Sequence, residues 1–129
     1  MKKLITLLVC CTAFPAVSFA DIRGTWRTQE GESGGYALVL IDFCSDDGDL
    51  YCGEIIDLLD TDDTSSLGSA IIVDMEDRGN GRYRGGKIYA PDQDRWYNSR
   101  MKLEGDVLEV YGCVAGGLIC RGQDWTRAE

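Results

Sequence analysis

The chain has 129 residues, with 22 acidic side chains against 13 basic ones, a net charge of −9 and no histidine. This excess of negative charge makes nucleic acid and anionic membrane surfaces poor candidates for partners, because both repel an acidic protein. The lack of histidine removes the commonest general base and zinc ligand, and no Gly-x-Ser-x-Gly, P-loop or His-Glu-x-x-His motif occurs. We therefore expect a non-enzymatic protein without a metal site or a cofactor.

Residues 1–20 have the pattern of a secretory signal peptide. Lys2 and Lys3 precede an apolar run, and Ser18-Phe19-Ala20 places small residues at the −3 and −1 positions of a cleavage site before Asp21. A retained membrane anchor and lipidation at the cysteines within the run are less favoured alternatives. We expect a periplasmic or secreted protein with no membrane span after cleavage.

The remaining residues, 21–129, are enough for one domain with one modest core. Short β-type segments recur at roughly 10 to 14 residues with turn signals between them, and no convincing helix follows the signal peptide. Since the connections are short, neighbouring strands pair antiparallel. A sheet of such strands hides its two edge strands by pairing them with each other, which closes an up-and-down barrel. An eight-stranded barrel is either filled by side chains or holds one small ligand. The eight predicted strands are Gly24–Thr28, Tyr36–Cys44, Leu50–Leu58, Ser69–Met75, Arg82–Tyr89, Arg95–Leu103, Val107–Gly112 and Leu118–Arg127.

Two of these strands have unusual compositions. Tyr36–Cys44 is apolar on both of its alternating faces, Leu40 as well as Ile41, which predicts a strand covered on both sides for much of its length. Gly85-Gly86 interrupts Arg82–Tyr89 and predicts a bend or a bulge there.

Four cysteines follow the predicted signal peptide: Cys44, Cys52, Cys113 and Cys120. An even number in an exported domain indicates two disulfides, and three pairings exist. We favour Cys44–Cys52 and Cys113–Cys120, because each pair brackets a polar or glycine-rich turn. A four-cysteine zinc site is the less favoured alternative, since no Cys-x-x-Cys pair occurs.

Two similar segments open and close the predicted barrel, namely Gly24-Thr25-Trp26-Arg27-Thr28 and Gln123-Asp124-Trp125-Thr126-Arg127. We expect the first and last strands to pair here, with either Arg127 or Arg121 stacked on a tryptophan ring. The alternative role of the two tryptophans is simple packing in the core of the barrel.

Aromatic side chains are the candidate ligand-binding residues, because Tyr and Trp combine an apolar body with a hydrogen-bonding tip. Core and surface packing is the alternative role for these residues. The acidic loops lack the EF-hand pattern and are expected to be solvated. The candidates for ligand binding are Trp26, Tyr36, Tyr89, Trp96, Trp125 and Arg127.

Five segments, spread in order over nearly the whole of residues 21–129, carry a resemblance to a known family. They are Gly24-Thr25-Trp26-Arg27-Thr28, Leu50-Tyr51-Cys52-Gly53-Glu54-Ile55, Gly85-Gly86-Lys87-Ile88-Tyr89-Ala90-Pro91, Met101-x-Leu103-x-Gly105-Asp106-x-Leu108-x-Val110-x-Gly112-Cys113 and Gln123-Asp124-Trp125-Thr126-Arg127.

These segments resemble the bacterial family called domain of unknown function 2147. The resemblance implies a signal peptide and a small envelope-side domain, and it brings no established activity and no catalytic residues. The chain departs from the family pattern after Pro91, where Asp92-Gln93-Asp94-Arg95-Trp96-Tyr97 replaces an acidic residue, Gly-Lys and a tyrosine. The Gly-x-Trp start and the late arginine are also similar to lipocalin and avidin-type barrels.

The sequence is compatible with three hypotheses for the function of this protein. The first is a binding module for a small hydrophobic or amphipathic ligand in the barrel mouth, lined by some of Tyr36, Tyr89, Trp96 and Trp125. The second is a module that binds an envelope protein, in the manner of small exported barrels that inhibit proteases through an N-terminal segment, here Asp21-Ile22-Arg23. The third is an enzyme that uses some of the many carboxylates, none of which the sequence singles out. The oligomeric state is not predicted.

Overall fold

The computed structural model describes residues 21–128, so the predicted signal peptide lies outside the described residues. Eight antiparallel strands follow one another in chain order, and the last pairs with the first to close a barrel. This confirms the predicted all-β up-and-down barrel. The strands are β1 (Gly24–Arg27), β2 (Tyr36–Phe43), β3 (Tyr51–Leu59), β4 (Ala70–Asp77), β5 (Arg82–Ala90), β6 (Arg95–Glu104), β7 (Val107–Val114) and β8 (Ile119–Arg127), with a 3-10 turn at Ala115–Gly117.

The core is the inner face of the barrel, and alternation along the strands decides which residues reach it. In β2, Ala37, Val39 and Ile41 are buried, and in β7 the alternate residues Leu108 and Val110 are buried. The core cluster consists of Ile22, Trp26, Ala37, Val39, Ile41, Ile55, Ile71, Ile72, Met75, Tyr83, Met101, Leu103, Leu108, Val110 and Trp125.

The prediction that β2 is covered on both faces was wrong. Leu40, on the outer face, is 40% exposed, and Ile56 on β3 is also exposed. The reason is that a closed barrel has one sheet and buries only its inner face, so apolar residues on the outer face meet solvent.

The predicted irregularity at Gly85-Gly86 is present. The pairing of β5 with β6 shifts register between Tyr83 and Gly86, and Gly85 has a φ of 86°. A Cβ atom on Gly86 would lie 2.1 Å from the carbonyl oxygen of Val73 on β4. Only glycine permits this close approach of two strands, which bends the sheet into the barrel wall.

Both predicted disulfides are confirmed, and they lie at opposite ends of the barrel. Cys44 and Cys52 join the β2–β3 hairpin with a Cα–Cα distance of 4.9 Å, and Cys113 and Cys120 join the β7–β8 hairpin at 4.1 Å. We call the first end, which also carries residues 21–23 and 128, the terminal end. The opposite end, formed by the connections 28–35, 60–69, 91–94 and 115–118, is called the loop end.

Candidate functional site

The terminal end is closed by the segment that precedes β1. Ile22 is fully buried, and its carbonyl oxygen accepts a hydrogen bond of 2.8 Å from Trp26 Nε1. Arg23 Nε donates to the Asp21 carboxylate at 2.9 Å, and this contact lowers the pKa of that carboxyl group. Residues 21–23 are therefore a folded part of the barrel end.

Arg127 completes this closure from β8. Its guanidinium carbon lies 4.3 Å from the centre of the Trp26 ring, and its nitrogens donate to the carbonyl oxygens of Asp21 at 2.7 Å and Arg23 at 3.2 Å. Trp26 pairs with Arg127 across the β1–β8 seam. The predicted pairing of the first and last strands is thus confirmed, and Arg127 is the arginine that stacks on the tryptophan.

A layer of aromatic rings lies at the same end. The ring centres of Phe43 and Tyr51 are 5.0 Å apart, and those of Tyr51 and Tyr83 are 5.5 Å apart in an edge-to-face arrangement. Burial, with a smaller effect from the charge of Asp77, raises the pKa of Tyr83 to about 12. Ile22 and Tyr83 are buried at the terminal end, whereas Phe43 is 38% exposed there. An open hollow of about 530 Å³ is lined by Phe43, Asp49, Tyr51, Glu76, Asp77 and Gly79, so this end is closed beside Trp26 and open beside Phe43.

The loop end is different, because the inner face of β8 is exposed there. Trp125 is buried in the core. Gln123 and Arg121 precede it in β8 at alternate positions, so they lie on the same face of the strand, towards the loop end. Both are nevertheless exposed to solvent. Arg121 pairs with Gly112 on β7, which has no side chain to cover it.

The short β1–β8 seam explains this exposure. Only Trp26 and Arg27 of β1 pair with β8, at Arg127 and Thr126. Within the described residues, the part of β8 nearer the loop end has no β1 partner. Its Asp124 N–H instead donates to the side-chain oxygen of Gln29 at 3.3 Å. Beside Arg121 and Gln123, β8 therefore lacks a strand partner on one side, which leaves an opening in the strand pairing of the barrel wall.

Apolar side chains surround this opening. Ile88 and Tyr97 are paired across β5 and β6, are half-buried, and lie beside Gly112, whose added Cβ would sit 3.4 Å from both. The β7–β8 connection adds Leu118 and Ile119, which are 88% and 61% exposed. We call this site the mouth, formed by Ile88, Tyr97, Gly112, Leu118, Ile119, Arg121 and Gln123.

The six predicted ligand-binding residues do not form one site. Trp26, Trp125 and Arg127 are core or closure residues of the terminal end. Tyr36, at the start of β2, lies under the guanidinium of Arg27 at 4.0 Å. At the loop end, the rings of Tyr89 and Trp96 are 5.1 Å apart.

The Tyr89–Trp96 pair lies next to the mouth. Trp96 is 44% exposed, and the hydroxyl of Tyr89 donates to the carboxylate of Asp94, which raises the pKa of Tyr89. Sequence reasoning had considered Arg121 only as a partner for a tryptophan and had missed Gln123. Both residues could have been found from the sequence, because they alternate with Trp125 and therefore lie on the same face of the strand.

One group of potential metal ligands lies close together in residues 21–128. The ligand atoms of Cys44, Cys52 and Asp74 are all within 4.8 Å of one another. Both sulfur atoms belong to a disulfide, so they offer no thiolate to a metal ion.

The fold and its ends define a class: an eight-stranded antiparallel barrel that is closed at one end by a tryptophan and an arginine. A family model described as "Uncharacterized protein conserved in bacteria (DUF2147)" matches residues 24–127. The chain belongs to this family, as the resemblance in its sequence predicted.

One solved structure has a similar fold. It is protein HP1028 from the human pathogen Helicobacter pylori, which is described as belonging to the lipocalin family. The two chains are 18% identical, the alignment covers 84% of each, and the TM-score is 0.68. Among curated proteins, none matches this chain.

Proposed function

We propose that this chain is a non-enzymatic, exported binding protein that takes a small amphipathic molecule at the mouth. The observation that carries the proposal is Arg121. It lies on the inner face of β8 opposite Gly112, which lies beside the half-buried Ile88 and Tyr97, and no carboxylate of residues 21–128 lies within 4.0 Å of its guanidinium. An unpaired cation beside apolar side chains matches a molecule with an anionic head and an apolar chain.

The arrangement assigns a role to each part of the ligand. The head group accepts charge-assisted hydrogen bonds from Arg121 and a further bond from the amide of Gln123. The apolar chain packs on Ile88, Tyr97 and Ile119, which would remove apolar surface from water. Because Arg121 and Gln123 lie nearer the loop end, the ligand enters from the loop end or through the adjacent opening in the wall.

Export is part of the proposal. Disulfides persist in the periplasm and outside the cell, and this domain has one at each end. The description of the Helicobacter pylori protein as a lipocalin supports ligand binding, since lipocalin-type barrels hold one small molecule. Within residues 21–128, no helix is long and apolar enough to cross a membrane.

The exposed apolar tip of the β7–β8 connection favours a second candidate function, the binding of an envelope protein. Leu118 and Ile119 are exposed on the outside of the barrel, and contact with a partner would remove their apolar surface from water. Inhibition of a protease through residues 21–23 is not favoured, because Ile22 is fully buried and Arg127 binds the backbone on both sides of it.

The test is a titration of the oxidised domain, residues 21–129, with dodecanoate and with dodecanol, followed by tryptophan fluorescence and by calorimetry. We expect dodecanoate to bind, and Arg121→Gln to weaken it by about 10- to 100-fold, the effect of a charge-assisted hydrogen bond. Dodecanol should respond little to that substitution.

Arg78→Gln is the matched control, because it removes the same charge at the terminal end and should leave affinity unchanged. The proposal fails if neither probe binds, or if Arg121→Gln and Arg78→Gln have equal effects. Failure with both probes would move the proposed function to the protein partner at Leu118 and Ile119.

A further inference from the structure

A second feature lies on the outside of the barrel, on the wall formed by β5, β6 and β7. Four cationic side chains surround a shallow hollow of about 270 Å³ there. They are Arg82, Arg84, Arg100 and Lys102, and Met101, Glu109 and Tyr111 complete the lining. We call this feature the basic hollow.

The strand register brings these cations together. Arg82 pairs with Lys102 across β5 and β6, and the residues between the outward cations, Tyr83 and Met101, are buried in the core. Cross-strand neighbours have Cβ atoms about 4.5–5.5 Å apart. The sequence spacing Arg-x-Arg on β5 and Arg-x-Lys on β6 therefore becomes a compact two-by-two group on one face.

Most of these cations have no ion pair among residues 21–128, although Glu109 lies opposite Lys102 and Glu76 lies opposite Arg84 on the neighbouring strands. Lys102 has an ion pair, with Glu104 at 2.8 Å. Arg82, Arg84 and Arg100 have no carboxylate within 4.0 Å among residues 21–128, although the chain carries 22 acidic residues.

Glu109, at the edge of the basic hollow, accepts a hydrogen bond of 3.2 Å from the hydroxyl of Tyr111. Like charges on neighbouring strands oppose folding. An anionic ligand would relieve this repulsion, so the cluster is a candidate anion site.

Tyr111 holds one of the arginines in place. The guanidinium of Arg100 lies 5.1 Å from the centre of the Tyr111 ring, directly across the β6–β7 ladder. That ring lies flat over Gly122 on β8, since a Cβ atom on Gly122 would be 2.5 Å from Tyr111 Cε1. A fixed ring restricts the arginine before any ligand arrives, which lowers the entropy cost of binding.

We propose that the basic hollow binds a phosphate ester group. Several guanidinium groups around a small volume suit the multiple oxygens of a phosphate, which accept paired hydrogen bonds from arginine. The volume of about 270 Å³ has room for a phosphate and part of the group esterified to it.

The acidic net charge of the chain does not prevent this binding. Exposed charges farther away than about 8 Å are largely screened at physiological ionic strength, so the local cations dominate. The basic hollow is on the outer wall and the mouth is on the inner face, so this inference does not depend on the proposed function.

The test uses two phosphate probes on the oxidised domain: inorganic pyrophosphate, and vesicles of phosphatidylcholine with one third phosphatidylglycerol. Binding is measured by calorimetry and by vesicle co-sedimentation at low salt. We expect Arg84→Gln with Arg100→Gln to weaken binding at least 10-fold. The matched control is Arg27→Gln with Arg78→Gln, which removes the same charge outside the basic hollow and should change binding less than 2-fold.

The two probes distinguish the source of the phosphate. Binding of pyrophosphate supports a soluble phosphorylated compound, and binding of vesicles without pyrophosphate supports a lipid head group. The inference is overturned if neither probe binds, or if both double variants weaken binding equally. All four substituted residues are on the surface, so thermal unfolding close to that of the parent protein would verify that the variants are folded.

Discussion

The two ends of this barrel are built from the same eight strands, yet the region of the β1–β8 seam is packed at the terminal end and accessible at the loop end. At the terminal end, Trp26, Ile22 and Arg127 contact one another and exclude water. At the loop end, the equivalent inward positions of β7 and β8 hold Gly112 and Arg121, and solvent reaches them. The comparison indicates that two properties determine which part of the β1–β8 region solvent can reach. They are the size of the side chains at the inward positions and the length of the seam.

The largest expected effect separates the tryptophans of the two ends. Trp26→Ala removes a fully buried indole and its hydrogen bond, and we expect it to lower the free energy of unfolding by about 3–5 kcal/mol. Trp96→Ala, at the loop end, should cost less than about 1 kcal/mol, because Trp96 is largely exposed. Urea unfolding measures both, and similar losses would contradict the distinction between the ends.

Removal of residues 21–23 should have the next largest effect. The deletion removes the buried side chain of Ile22, whose burial stabilises the fold by about 1.5–3 kcal/mol. It also breaks the hydrogen bond from Trp26, which contributes about 0.5–1.5 kcal/mol. We expect a loss of about 2–4 kcal/mol in urea unfolding. Leu118→Ala is the control at the loop end, and it should cost less than about 0.5 kcal/mol. A truncated domain as stable as the parent would show that this segment does not close the barrel.

A smaller effect on the free energy of unfolding is expected at alkaline pH, where Tyr83 titrates. Its pKa of about 12 in the folded protein lies above its ordinary value of 10.0, so the folded state keeps a proton that the unfolded state releases. The resulting stabilisation is complete below pH 10 and is lost as pH rises towards 12. Urea unfolding between pH 9 and 11.5 should show a steeper decline for the parent protein than for Tyr83→Phe. Equal slopes would place Tyr83 in a hydrated environment, contrary to its burial in the core.

Much of the fold could be predicted from local patterns in the sequence. Turn signals such as Gly79-Asn80-Gly81 limited the strands to within two residues of their observed ends. The turns inside Cys44–Cys52 and Cys113–Cys120 gave the correct disulfides, because a short hairpin holds its two cysteines close together. The strand ends and the disulfides depend on residues that are close together in the sequence, so local patterns were enough to predict them.

The mouth could not be predicted in the same way, because it depends on the contact between the first and last strands. The predicted first strand was short and the predicted last strand, Leu118–Arg127, was about twice as long. That mismatch was the available signal that part of β8 would have no partner. The basic hollow was missed because the register of β5 against β6 shifts at the bulge before Gly86, and an unshifted register cannot be assumed there.

The β1–β8 seam also has a consequence for the order of folding. Every other pair of strands is adjacent in sequence and forms a hairpin, whereas the hydrogen bond from Arg127 to Asp21 spans 106 residues. Local hairpins form in about 1–10 μs, but β1 gains its second partner only after β8 has been synthesised. Until then, the growing chain is an open sheet with two unpaired edges, which is the form of a β-protein most prone to aggregate. We therefore expect the last three residues of β8, Trp125 to Arg127, to decide whether a newly made chain becomes a closed barrel or an aggregate.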